Sequence, residues 1–457
     1  MEKVGSAIVP PLAARPDREQ AGLGAEPLLA NVVTVLTFFP FFRYLPLGPV
    51  ETQPVGAILA LVGLFAFGMS SRPPARMFLA LATLMLVLSA ISIVGMGIPV
   101  GKVLSQLAAY VAPIATMLFL WGRIGLISTR VVLASGLAYL LFGLGQYLGL
   151  VPNLMEQLLT SIQPRYQTDL VGGGRGVVMF APEPSYAAKQ LLLFIAFLIA
   201  FWRDGRLPGR NVTLLLLITL VAMIVLNKSV IGIGVSVAMI LVFITFLLRP
   251  LSKILLIIAS AILLYFSYTT IQRVDASSVT QASPRIVQVA FAFSQEIARG
   301  NFGLSDLILF GSARIITNIA GARALPDADP LGVGIGNADV RIHFALENDE
   351  ILRDIQFDPT VFLTLKPQSW IICFFLEAGW LGAILFSGAF VAIIRSARGE
   401  NRPARAASAA LITAALVQLL LLGPHSLPVP WLMLLLSADN TTLLPAKPGH
   451  ASEAAQR

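Results

Sequence analysis

The groups able to do chemistry in this chain fall into four short stretches. The first is GGGRGVVMFAPEPSYAAK, residues 172–189. Its glycines let a backbone approach a ligand closely. Arg175 is a permanent cation whose planar fork matches phosphate oxygens. Pro182 and Pro184 hold Glu183 in an extended turn and start a helix at Ser185. Glu183 is a candidate to take the proton of a reacting hydroxyl, and Ser185 a candidate to bind substrate. The bland reading of the same residues is an Arg175–Glu183 ion pair that staples the loop.

The second stretch is Asn227-Lys228-Ser229, a short hairpin between apolar runs. Lys228 either binds a phosphate or snorkels at an interface with no function. The third is Gly311-Ser312-Ala313-Arg314, on a helical pattern (Leu307, Ile308, Phe310, Ile315, Ile316, Ile319), followed by PLGVGIGN at 330–337. Arg314 is a second anion-binding candidate, or a solvated helix charge. The glycine run lacks the spacing and strand–helix setting of a dinucleotide fingerprint, and is expected to be a tight turn back to the bilayer. The fourth is His343, a general base, a phosphate ligand or an incidental loop histidine. Arg285 completes the substrate-binding candidates. Glu347, Asp349, Glu350, Asp354 and Asp358 form a solvated face or meet sugar hydroxyls. The three histidines (His343, His425, His450) and the single Cys373 have no metal-ligand spacing, so no metal and no cofactor is expected.

The elements that position these residues follow from composition. Of 457 residues, 56% are hydrophobic and only 12% charged, and the mean hydropathy is +0.81. A soluble chain of this length cannot hide so much apolar surface, so the expectation is an all-α polytopic membrane protein. Disordered chains, disulfide scaffolds and coiled coils are excluded. The net charge of +8 would suit nucleic acid in a soluble protein, but here the basic residues sit in short loops, and no nucleic-acid partner is expected.

About twelve spanning helices are expected: roughly 28–48, 55–70, 77–95, 103–121, 131–151, 184–202, 211–226, 230–248, 254–271, 370–394, 406–422 and 428–444. Alternate connections carry thirteen Lys/Arg against three (Arg43, Lys102, Lys228) in the short connections between them, which predicts cytoplasmic termini. Residues 1–27 and 445–457 are then cytoplasmic tails, the first disordered with no cleavable signal, around a membrane domain at 28–444. The long connections 152–183 and 272–369 fall outside, and long structured loops carry function. No internal repeat is evident. A transporter would carry charges at mid-depth within its spans; the charges here are expected at the outer boundary instead.

In order and placement, three of these anchors resemble the bacterial O-antigen polymerase and O-antigen ligase family, which includes exopolysaccharide polymerases. They are Arg175 through the Glu183-Pro184-Ser185 entry into a span, the Lys228-Ser229 hairpin, and Ser312-x-Arg314 with the Pro330–Asn337 turn. The resemblance covers about 130–395. It implies a metal-independent, membrane-embedded glycosyltransferase of the bacterial inner membrane. Its donor and acceptor would be undecaprenyl-diphosphate-linked glycans, with membrane lipids, a chain-length regulator and a flippase as partners. His343 lacks the glycine–x–x–glycine–threonine–threonine sequel of the ligases, so the likeness favours a polymerase. In that role Arg175, Arg314 and Lys228 would neutralise the donor diphosphate, and Glu183, or less readily His343, would activate the acceptor hydroxyl.

Overall fold

The computed structural model describes residues 24–44, 53–151, 153–162, 176–247, 313–326, 328–348, 367, 369–397, 402–421 and 427–438. Among them regular structure is helical throughout. Eight helices are long and apolar enough to cross a membrane, the architecture of a polytopic membrane protein. In chain order the helices are α1 (Ala25–Phe38), α2 (Val55–Phe67), α3 (Pro73–Val94), α4 (Val100–Leu120), α5 (Thr129–Tyr147), α6 (Asn153–Ile162), α7 (Pro184–Arg203), α8 (Gly209–Ala222), α9 (Val230–Leu247), α10 (Ala313–Ala324), α11 (Ala338–Asn348), α12 (Trp370–Ser396), α13 (Arg402–Leu421) and α14 (Val429–Ser437).

Eight of the twelve expected spans therefore appear at full length, the seventh because a π-helical turn, Met223–Asn227, prolongs α8. Three more appear as shorter apolar helices: α1, α2 and α14, of 14, 13 and 9 residues. The last stops at Ser437, at the start of the polar interruption Ser437-Ala438-Asp439-Asn440. The expected span at 254–271 lies outside the described residues, as do most of the two tails. Neither long connection is only a loop, since α6 lies in the first and α10 and α11 in the second.

The most enclosed helix is α7. Seventeen of its residues, Pro184 and Tyr186–Phe201, are buried, and it packs against α5, α8, α9, α13 and α14. The outer helices α3, α8 and α9 leave long apolar side chains exposed, as lipid-facing helices should.

The arginines that predicted orientation also hold one end of the bundle together. Arg123 pairs with Glu26 at 2.7 Å and donates to the carbonyls of Phe119 (2.8 Å), Phe67 (3.1 Å) and Gly68 (3.0 Å). Arg203 donates to Leu436 O at 2.8 Å, and Arg206 to the carbonyls of Ile124 and Ile127. Cations at carbonyl-rich helix ends satisfy acceptors that lipid cannot. These contacts gather the start of α1, the ends of α2, α4, α7 and α14, and the start of α5. The start of α7, the hairpin after α8 and the turn before α11 lie at the opposite end.

Candidate functional site

The opposite end holds two polar constructions. The first joins two of the sequence anchors. Residues 176–183 fold back onto the bundle, with Val177, Val178, Met179 and Ala181 buried. Val177 N donates to Leu226 O at 2.9 Å. Asn227, fully buried, donates through Nδ2 to Pro184 O at 2.8 Å and Val177 O at 3.4 Å. Gly176 (φ 85°) lies against the Asn227 carbonyl, where a Cβ would collide with it. The stretch that begins beside Arg175 is thus tied to the Asn227-Lys228-Ser229 hairpin.

This shelf is strained. Among the described residues the two non-glycines with positive φ are Met179 (55°) and Lys228 (53°), and both lie in it. The π-turn ends at Asn227, and π-turns concentrate at functional sites. Such conformations cost about 1–3 kcal/mol each and persist only where neighbours enforce them. Here Gln146, at the end of α5, accepts from Met179 N at 2.7 Å, and Lys228 N donates to Met223 O at 2.9 Å.

Glu183 occupies the N-cap position of α7, with Pro184 as the first helical residue, where the expected span 184–202 begins. The side chain of Glu183 is half-buried and accepts from Ser185 Oγ at 3.3 Å. One turn on, Lys189 is buried with its Nζ 4.9 Å from the centre of the Tyr186 ring. Lys228 is half-buried. The structure therefore brings Glu183, Ser185 and Lys228 onto one shelf around Asn227, with Lys189 beneath. Arg175, adjoining Gly176, lies outside the described residues.

The second construction lies under the glycine run. Helix α12 breaks at Gly379 (φ 61°, ψ −159°), and the turn 330–337 fills the break. Val333 N donates to Leu376 O (2.9 Å), Gly334 N to Glu377 O (3.2 Å), and Leu381 N to Pro330 O (3.1 Å). Ile335 N donates to Ser92 Oγ at 2.8 Å. A Cβ on Gly379 would collide with Asp329, Pro330 and Gly332 backbone. The expected tight turn toward the bilayer is present. The amides of Val333, Gly334 and Ile335 are all bonded within the protein.

Beside the break, Glu377 is fully buried inside a spanning helix. Its Oε2 accepts from Tyr110 Oη at 2.7 Å and its Oε1 from Ala338 N at 3.4 Å. Tyr110 Oη also lies 3.4 Å from Cys373 Sγ. Lys102 pairs with both Asp339 oxygens at 2.9 Å. Glu377 and Lys189 were not singled out in the sequence: both are buried within spanning helices, toward the end of the bundle that carries the shelf and the turn 330–337. A lone acid in a 25-residue apolar run was the available signal for Glu377. Gln146 and Tyr110 gave none, since single polar residues in apolar runs are ordinary, and Asn227 stood out only as a neighbour of Lys228.

Arg314 is the second residue of α10, which packs on α11 and α12. His343 is half-buried on α11, one residue after Ile342, which is buried toward α12. Both helices dock on α12, while the Glu183 shelf is built on α5, α7 and the π-turn. Arg285 lies outside the described residues. No group of three or more His, Cys, Asp or Glu able to hold a metal occurs among the described residues. No protein-family model matches this sequence, and no curated protein matches it.

Proposed function

We propose that the protein polymerises undecaprenyl-diphosphate-linked oligosaccharide repeats into a surface polysaccharide at the outer face of a bacterial inner membrane. The observation that carries this reading is the docking of residues 176–185 onto Asn227-Lys228-Ser229. It puts a carboxylate, a hydroxyl and a cation on one strained, anchored shelf at the end of the bundle away from the arginine cluster. In the reaction the acceptor hydroxyl attacks the donor's anomeric carbon. The bond to the diphosphate oxygen breaks, undecaprenyl diphosphate leaves with the electron pair, and Glu183 takes the hydroxyl proton. Fixed cations stabilise the charge that grows on the leaving group. Lys228 does so on the shelf, and Arg175 and Arg314 are assigned the same task from the sequence resemblance. Both termini are then cytoplasmic.

The test is Arg175→Ala in cells that make the polymer. Loss of long chains at normal protein level supports the reading; wild-type chain lengths remove Arg175 from the mechanism.

One observation favours a second reading, a transporter or flippase of lipid-linked or anionic solutes. Buried Glu377 beside a broken helix is a common construction at coupling sites. Purified protein in vesicles separates the two: a polymerase lengthens lipid-linked glycan, whereas a flippase only moves it across the bilayer.

A further inference from the structure

Helices α10 and α11 bear two residues of the proposed mechanism, Arg314 and His343. Their buried cluster with α12 is Ala320, Ala324, Ala338, Ile342, Cys373 and Leu376, with Ile319, Leu325, Ala345 and Ile372 packed against it. Apolar packing is not directional, so the register of the segment on α12 is set by polar anchors. The turn 330–337 supplies backbone bonds into the α12 break, and Lys102–Asp339 supplies a partly exposed pair (32% and 17%). Among the described residues, the side chain that bridges a spanning helix directly to the first amide of α11 is Glu377.

We infer that Glu377 is the positioning residue of this end: gripped by Tyr110 of α4, it holds the N-terminus of α11, and so keeps α10 and α11 seated on α12. Its second oxygen meets the positive end of the α11 dipole, where a carboxylate is favoured. The required property is reach. Asp, one methylene shorter, keeps the charge but falls short of either Tyr110 or Ala338. Gln keeps the reach and an acceptor for the Ala338 amide, while its own amide faces the Tyr110 oxygen. This assignment rests on the proposed polymerase only for what α10 and α11 do once seated; the seating itself does not.

Cys373 lies in the seam under α10 and α11, is fully buried, and is the chain's only cysteine. Its alkylation by N-ethylmaleimide in native membranes therefore reads the seating without any substrate. Wild type and Glu377→Gln should react at rates within about three-fold of each other. Glu377→Ala and Glu377→Asp should react about ten-fold faster or more, the factor expected when one charged hydrogen bond no longer opposes opening. Tyr110→Phe, which removes the grip and leaves Glu377 in place, should also react faster, and decides the matter if the Glu377 variants fail to accumulate. Long polymer should be lost in Glu377→Asp and retained in Glu377→Gln. The inference is overturned if Asp protects Cys373 while Gln exposes it, since charge and not reach would then matter. It is equally overturned if Glu377→Ala or Tyr110→Phe leaves the rate unchanged. Because alkylation needs no glycan, a vesicle assay that finds transport and no lengthening would remove the polymerase and leave this result standing.

Discussion

Replacing Asn227 by alanine addresses the shelf at its anchor. Asn227 is fully buried and its Nδ2 donates to two carbonyls, Pro184 O at 2.8 Å and Val177 O at 3.4 Å. Alanine leaves both without that donor. Two net hydrogen bonds amount to about 2 kcal/mol. The bond from Val177 N to Leu226 O survives, so the shelf should loosen and not unfold. The same loss removes support from Lys228, whose left-handed conformation already costs about 1 kcal/mol or more. Undocking should then rise about thirty-fold or more, since 1.4 kcal/mol is a factor of ten. The measurement pairs polymer chain length in cells with thermal unfolding of the detergent-purified protein, using Asn211→Ala on the exposed start of α8 as control. The expected outcome is shortened polymer and a fall of several degrees for Asn227→Ala, and neither for Asn211→Ala. An Asn227→Ala protein with wild-type melting and wild-type chains would refute the claim that this amide holds the shelf.

Other expectations follow from the same geometry. Gly379→Ala places a methyl against the backbone of Asp329, Pro330 and Gly332 and should cost about 3 kcal/mol or more through strain and weakened turn bonds, read as earlier thermal unfolding and faster Cys373 alkylation. Arg203→Met strands the Leu436 and Ser437 carbonyls at the end of α14 and should destabilise by about 2 kcal/mol; wild-type melting would refute that role. A Lys102/Asp339 double-mutant cycle should give a coupling of about 1 kcal/mol or less, shrinking at high salt because the pair is partly exposed.

Much of the architecture was legible in the sequence because lipid leaves the backbone one solution. Apolar runs longer than about 20 residues must be helices, so eight of the twelve expected spans stand at full length. Pro184 at the first position of α7 and Ser369 as the cap of α12, accepting from Ile372 N at 3.2 Å, are local rules obeyed. The α10 helix was visible in the spacing of Ile315, Ile316 and Ile319. The short helices α1, α2 and α14 were less legible, because composition records apolar length and not where packing or a polar interruption ends a helix.

The sequence alone also marked which stretches are candidates for chemistry, since Glu183, Ser185 and Lys228 stand out among so few polar residues. It did not say that Asn227 would bind the Glu183 stretch, nor that α12 would break at Gly379 around the turn at 330–337. Those facts depend on residues about 40 to 50 positions apart meeting through single hydrogen bonds, and nothing in local periodicity encodes a partner that distant. Glu377 makes the difference plain. Its burial cost is set by the bilayer and readable from its neighbours, but its role comes from Tyr110 and Ala338, which only the folded bundle brings to its two oxygens.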